Sequence, residues 1–469
     1  MTNASQETYN SFRAAALARH PDNPFLSFDQ MKRRVEQISG VVPITHDMCP
    51  NSCAAFTGPF RDLAECPVCS ASRYNHTQPG QSSTLVLRCQ FITIPIGPVL
   101  QAMHRSPENA KLMQYRAERT KAILAYCDIH GGKLEQYDDT CCGQEYLSAV
   151  CAGRIRDDDV MIQLSFDSAQ LYRDKVSDCW MYIYVIHNLP PEIRYKKTYV
   201  IPGGFIPGPQ KPKHIDSFIF PGLHHISALQ KEGLRIWDVF RATYIEQSIP
   251  FIAFGTADSP AMANMTGMVG HHGKYGCCLY CGLPGRRHEQ DPHYYPVMLK
   301  PVDYMVSGCT HDDITFQDLQ QYRNDTRHRY MANLEMLVSS WNTTHFNATH
   351  LKTGLCKPTI LSGLHPKHIL GIPSMFVMDI MHLVALNGPE LLMGLWRGTL
   401  ICYAPDKKED WDWAVLKGKV WEAHGRTIAA ATPYIPSSLL RECESDRGSE
   451  AEGHRGPIAI LALHSHKSQ

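Results

Sequence analysis

The sequence predicts an α/β protein with a small metal-bound module ahead of its sheet and a helical insertion behind it. Three observations predict this. Between residues 157 and 300, short β-rich apolar runs are interrupted by one helical stretch, in the order three strands, helix, strand. Ahead of them, four cysteines fall in two close pairs. Behind them, residues 301–370 are mostly polar with helical composition. A chain of 469 residues is too long for one core, so two or three domains are expected.

Hydrophobic residues make up 43% of the chain and charged residues 20%, an ordinary globular balance. No run of about eighteen apolar residues occurs, so no membrane span is expected. The first residues lack the apolar core of a signal peptide, which points to the nucleus or cytoplasm, where thiols stay reduced. Seventeen cysteines in such a place argue for metal binding over disulfides. The 46 basic and 46 acidic side chains balance. That excludes a wholly basic coat for nucleic acid but leaves room for a local basic groove.

Residues 1–44 read as a weakly ordered lead-in with helical signals at 11–19 and 28–38. Residues 45–80 read as a zinc ribbon. Cys49 and Cys53 are spaced C-x3-C, Cys66 and Cys69 C-x2-C, with twelve residues between the pairs. Two such knuckles supply four thiolates for one tetrahedral ion, and Pro50 and Pro67 suit the tight turns they need. Four thiolates leave no position open for water, so the ion is structural.

Residues 81–156 read as a mixed linker and helical region. A strand and a proline-interrupted stretch at 84–100 precede a helix opened by Ser106, Pro107 and Glu108 and running to about Cys127. Cys141 and Cys142 have no partner at metal spacing and read as isolated thiols. The core, 157–300, carries strands at 160–166, 179–186, 197–201 and 249–257 and a helix over 213–238, with turns at 202–209. After the insertion, 371–437 reads as helical, broken at Gly388-Pro389, with a further helix at 411–431. Residues 438–469 turn abruptly to Ser, Glu, Arg and Gly and read as a disordered or divergent tail.

The chemistry centres on Asp167, at the end of the first core strand, and Asp258, just after the fourth. Two carboxylates converging on one pocket repel and need a cation. Mg2+ suits them, and a pair of such ions is the apparatus of phosphoryl transfer. Each aspartate taken singly reads equally as a turn or cap residue. A second cluster follows: Cys277, Cys278 and Cys281, with His293 twelve residues on and His271 or His272 as a further ligand. On spacing alone it is either a zinc site or a thiol pair beside exposed histidines. Basic residues at Lys196-Lys197, Lys211, Lys213, Arg286 and Arg287 flank the aspartates and could line a phosphate track.

Taken together, several segments resemble the transposases of CACTA-type (En/Spm-like) DNA transposons in their fungal version. They are CPNSC and CPVCSASRY within 49–74, LSFD at 164–167, IPGPQKPKHIDSFIFPGLHHISALQKEGLRIWD at 206–238, TADSPAMANMTGMVGHHGKYGCCLYC at 256–281, HYYP at 293–296 and DIMHLVALN at 379–387. The resemblance spans roughly residues 45–437 and implies a DDE/D catalytic core of RNase H-like fold. It makes Asp167 and Asp258 the first two catalytic acids and Asp379 the third, with Glu390 in reserve because Val384 stands where relatives carry a glutamate. It makes Cys278, Cys281 and His293 a zinc-type motif, with Cys277 as an alternative ligand. It implies catalytic Mg2+ or Mn2+, structural zinc, nuclear location, and terminal-repeat DNA, target DNA and another copy of the chain as partners. Lys211, Lys213, Arg286 and Arg287 become candidate DNA contacts. The departure from relatives after about residue 437 suggests truncation or a shifted frame, and with it the alternative of a catalytically inactive remnant that only binds DNA or a protein.

Overall fold

In the computed structural model, the described residues are 5–22, 25–75, 86–170, 178–208, 210–379, 384, 387–402, 406–431 and 434. The tail at 438–469 lies outside them. The chain forms two units, Met1–Val377 and Met378–Gln469.

The first unit is built on a six-stranded mixed sheet. Its strands are β1 (Ile44–Asp47), β2 (Gln90–Thr93), β3 (Val160–Gln170), β4 (Asp178–Ile186), β5 (Ile201–Pro207) and β8 (Pro250–Ala257), in the order β1-β2-β5-β4-β3-β8. All neighbours are antiparallel except β3 and β8, which run parallel. Beyond β8, single parallel bridges join Ile252 to Ile369 and Gly255 to Phe376, so the chain at 369–377 runs along the far edge. β6 (Leu234–Asp238) and β7 (Thr243–Ser248) form a separate hairpin.

Helices α1 (Gln6–Arg19) and α2 (Phe28–Ser39) lead in, and α2 opens with a capping box between Ser27 and Gln30. α3 (Ile96–Met103), α4 (Pro107–Leu112), α5 (Tyr115–Ile129) and α6 (Gln144–Cys151) precede the central strands. The short α7 (Pro191–Arg194) and the long α8 (Ile215–Glu232) follow β4 and β5. α9 (Ser259–Thr266) follows β8, and α10 (Phe316–Asn324), α11 (Thr326–Val338) and α12 (Thr343–Thr353) form the insertion. The second unit holds α13 (Gly388–Arg397) and α14 (Gly418–Ala431). No described helix is long and apolar enough to cross a membrane.

Alternation organises the central strands. Ile162, Leu164 and Phe166 of β3 are buried, as are Trp180, Tyr182 and Tyr184 of β4, and α8 packs its Phe218, Ile219, Leu223 and Ile226 into the same core. Gly222 lets α8 close on the sheet, since a Cβ there would meet the hydroxyls of Tyr182 and Tyr184 at 2.8 Å.

Several elements differ from the sequence expectation: β3 runs on to Gln170, so Asp167 lies within it rather than at its end, and the helix expected over 411–431 begins only at Gly418. The third strand is β5 over IPGGFIP, not the preceding 197–201. The prolines and glycines that read as turns serve the sheet: a Cβ on Gly203 or Gly204 would lie 2.4 or 2.5 Å from the Tyr182 ring. The helix expected over 213–238 stops at Glu232, where Gly233 takes φ 80°, and LRIWD becomes β6 with alternating burial. The helix expected from Ser106 to Cys127 divides into α4 and α5, with Ser106 accepting from Asn109 N as its cap. The start of the helical stretch expected over 371–400 is instead a turn at 372–375 followed by the single bridge residue Phe376, and the helix proper begins at α13 with Pro389 in its first turn.

Under the sheet lies a buried polar node. Arg194 is 1% exposed and pairs at 2.7 Å with Asp139, 4% exposed. The Arg194 guanidinium also meets His187 Nδ1 at 3.0 Å, and His187 Nε2 lies 3.0 Å from Gln163 Oε1. Arginine only donates, so Nδ1 accepts and the imidazole carries its proton on Nε2. Burial, reinforced by Arg194 and opposed by Asp139, pushes the His187 pKa down to about 3. The unfolded chain therefore takes up a proton near pH 6.5 that the folded chain refuses until about pH 3. This contribution to stability is complete above pH 6.5 and is lost as pH falls. Asp139, despite its burial, is held below the usual carboxylate range by Arg194, so it acts in the same direction. Lowering the pH from 7 to 4.5 is expected to cost about 2–3 kcal/mol through His187 alone. Urea melts of His187→Gln should show a correspondingly shallower acid dependence, and an unchanged dependence would remove His187 from the account.

Candidate active site and metal centre

Asp167 and Asp258 are brought together by strand register. β3 and β8 run parallel with Phe166 opposite Ala257, so the next residue on each strand is an aspartate. Neighbouring strands lie about 4.8 Å apart, and residues at matching positions share a face. That face carries Ser165 and Thr256 one pleat earlier. The same cross-strand row continues through Met181 on β4, Phe205 on β5 and Ile92 on β2. Phe205 is 37% exposed and Ile92 40%, so the row is open to solvent beside the acids.

The two carboxylates are held differently. Asp167 is exposed, and its Oδ1 accepts from Ser168 N at 2.7 Å. Asp258 is half-buried at the N-cap of α9, its Oδ1 accepting from Ala261 N at 2.8 Å. The capping role is therefore real, and it leaves the second carboxylate oxygen unengaged by that bond. Oxygen donors at a strand end suit a hard divalent cation.

Asp379 and Glu390 belong to the second unit. Asp379 is half-buried, and Glu390 lies exposed in the first turn of α13, where a carboxylate suits the helix dipole. Val384 is exposed; residues 380–383 and 385–386 of the expected motif lie outside the described residues.

Cys49, Cys53, Cys66 and Cys69 come together with all four sulfurs within 4.8 Å of one another, and Cys49 Sγ lies 3.5 Å from Cys69 Sγ. Four sulfurs at about 2.3 Å from a tetrahedral zinc would lie about 3.8 Å apart, so the arrangement could hold that ion. The two knuckles are built alike. Asn51 N donates to Cys49 Sγ at 3.3 Å, and Val68 N to Cys66 Sγ at 3.4 Å. Single bridges, Met48 with Ala55 and Glu65 with Ser72, close each turn. Burial pushes the Cys49 thiol up to about 12. Burial also raises Cys69, but the Ala71 N–H, the Asn51 amide and the neighbouring thiols outweigh it and draw the group down to about 6. One thiolate poised beside buried thiols suits a cation-binding nest.

The second cysteine cluster is arranged otherwise. Cys281 hydrogen-bonds Cys277, which lowers Cys277 to about 6 and raises Cys281. Cys278 packs toward the main core, and burial raises it. His293 stacks on His272 with ring centroids 4.0 Å apart, and His272 lies 3.9 Å from His271. Among the described residues, the Cys49 group is the one place where three or more Cys, His, Asp or Glu ligand atoms gather so closely.

The candidate DNA contacts also divide. Lys211 and Lys213 are exposed in the segment between β5 and α8, with Lys211 Nζ 4.8 Å over the Trp180 ring. Arg286 turns inward. It is 2% exposed and donates to the carbonyls of Cys309, His311 and Asp312. Arg287 reaches the carbonyls of His288 and Glu289. Burial of Arg286 was not readable from an Arg-Arg-His triplet, because its partners lie more than twenty residues away. Sequence reasoning also missed the open row Ile92–Phe205–Met181. The alternation in IPGGFIP was the available signal.

No curated protein matches the chain. Residues 156–288, from the turn before β3 through α9 to the second cysteine cluster, match the family model described as Transposase family tnp2. Over the segment that carries Asp167 and Asp258, the chain is thus similar to the tnp2 transposases.

Proposed function

We propose that the protein is a DNA transposase of the CACTA (En/Spm-like) kind, cleaving and joining strands at transposon ends in the nucleus. The observation that carries this reading is the β3–β8 register, which sets Asp167, within β3, beside Asp258, directly after the parallel β8, inside the transposase-like segment. The order β5-β4-β3-β8 and then the 369–377 edge supports an RNase H-like core, with three antiparallel strands followed by parallel neighbours. From the resemblance of DIMHLVALN to the family's motif we take Asp379 as the third acid, with Glu390 in reserve.

Mg2+ or Mn2+ bound by these acids would supply Lewis-acid stabilisation of the attacking and leaving oxygens. The protein's own part is to present carboxylate oxygens on a solvent-open face. Lys211 and Lys213 at the same end of the sheet contribute phosphate contacts, which position without reading sequence. Arg286 serves from inside, tying down residues 309–312. Zinc at the four cysteines is structural.

The test uses full-length protein and supercoiled plasmid carrying the element's terminal repeats. Nicking and joining are expected with Mg2+ or Mn2+ and not with EDTA. Repeat binding without cleavage in either metal would overturn the catalytic reading.

A further inference from the structure

The segment from Pro207 to His214 joins β5 to α8 and carries Lys211 and Lys213. Prolines at 207, 209 and 212 have no N–H, so this strap has few donors with which to hold itself. Two that it has go to one atom: Lys213 N and His214 N donate to the carbonyl of Cys53, at 3.1 and 2.8 Å. Cys53 is a member of the four-cysteine group.

The other links come from the same knuckle. Ser52 Oγ donates to Pro207 O at 3.1 Å, at the start of the strap. At its end, Ser217 Oγ donates to His214 O at 2.7 Å and accepts from Ala55 N at 2.9 Å. Thr57 Oγ1 donates to Ser217 O, and the Phe60 ring meets the His214 ring edge-on at 5.0 Å. Residues 52–60 therefore grip the strap at both ends.

The knuckle's shape depends on the sulfurs. Ser52 holds φ 55°, a left-handed conformation that a serine adopts only when its surroundings enforce it. Its neighbour Asn51 is turned so that its N–H faces Cys49 Sγ. The four sulfurs, all within 4.8 Å of one another, could hold a cation that fixes that turn. If the site opens, the Cys53 carbonyl moves and the strap loses its acceptor.

We propose that the four-cysteine module is a metal-dependent clamp on the Lys211–Lys213 strap. Metal occupancy sets where these two lysines sit, and Ser217 is the positioning residue that transmits it. The module acts on the strap and not as a separate nucleic-acid finger. The link to DNA rests on the function proposed above; the clamp itself does not.

The experiment compares zinc-loaded and chelator-stripped full-length protein. Amide hydrogen exchange at Lys213 and His214, and trypsin cleavage after Lys213, read the strap. Binding of a 30-base-pair duplex reads its consequence. Stripping is expected to speed exchange at both amides about 10-fold or more, to expose the Lys213 cleavage site and to weaken duplex binding, while amides of β3 and β4 keep their protection. Ser217→Ala should loosen the strap with zinc content unchanged, and Ser217→Thr should restore it. Unchanged protection at Lys213 and His214 after stripping overturns the clamp. So does loss of duplex binding with the strap still protected, since the module would then touch nucleic acid itself. If the loaded protein binds no duplex at all, the proposed function fails, and the exchange data still decide the clamp.

Discussion

Asp258→Asn is expected to lower DNA cleavage by about 10³-fold, the loss typical when one preorganised electrostatic group is removed from a reaction centre, while leaving the fold intact. The two roles of this residue make the substitution informative. Asp258 Oδ1 caps α9 through Ala261 N, and asparagine caps a helix as well as aspartate does. The amide therefore keeps the cap and removes the charge. Asp258→Ala removes both and should add a stability cost of about 1 kcal/mol. Asp167 supplies the contrast. Among the described residues it accepts from the adjacent Ser168 N and caps no helix, so Asp167→Asn and Asp167→Ala should differ little in thermal midpoint and both lose cleavage. Single-turnover cleavage beside thermal melts of the four variants checks this. Wild-type rates in Asp167→Asn would remove the register pair from the chemistry.

The pair was legible in the sequence because its signals are local. LSFD ends an alternating apolar run, and IAFGTAD ends another, so both acids could be placed beside core strands, although β3 itself runs on past Asp167 to Gln170. That the strands are neighbours is a tertiary fact, carried by the Phe166–Ala257 register, and spacing alone could not supply it. Failures elsewhere also have tertiary causes. IPGGFIP looked like turns because glycine and proline punctuate most chains. Here the two glycines exist to let β5 slide under the Tyr182 ring. Arg286 looked like a surface cation, yet its guanidinium closes on three carbonyls from 309–312. LRIWD looked like the end of a helix until Gly233 and the partner strand β7 claimed it. In each case a local pattern was overruled by a neighbour remote in sequence.

The four-cysteine module is expected to bind one zinc per chain and to unfold locally without it. Its own hydrophobic cluster is slight, consisting of the buried Cys49, Cys53, Ala54 and Cys66 with Cys69 and Ala71 against them. So small an apolar cluster cannot offset the ordering of some twenty-five residues, which costs about 1–2 kcal/mol each in backbone entropy. Apparent zinc affinities of about 10–16 kcal/mol in comparable peptides supply a large part of what is missing. Cys66→Ser is therefore expected to abolish zinc binding and to make residues 48–72 the first region cut by protease. Cys281→Ser should leave the zinc content at one, because Cys277 and Cys281 form a thiol pair and His293 is engaged with His272. Metal analysis of the purified chain and of both variants tests this directly. Two zinc ions per chain, one of them lost in Cys281→Ser, would show that the second cluster closes around metal through a rearrangement of the His271–His272–His293 stack. One zinc retained in Cys66→Ser would instead move the site away from the first cluster.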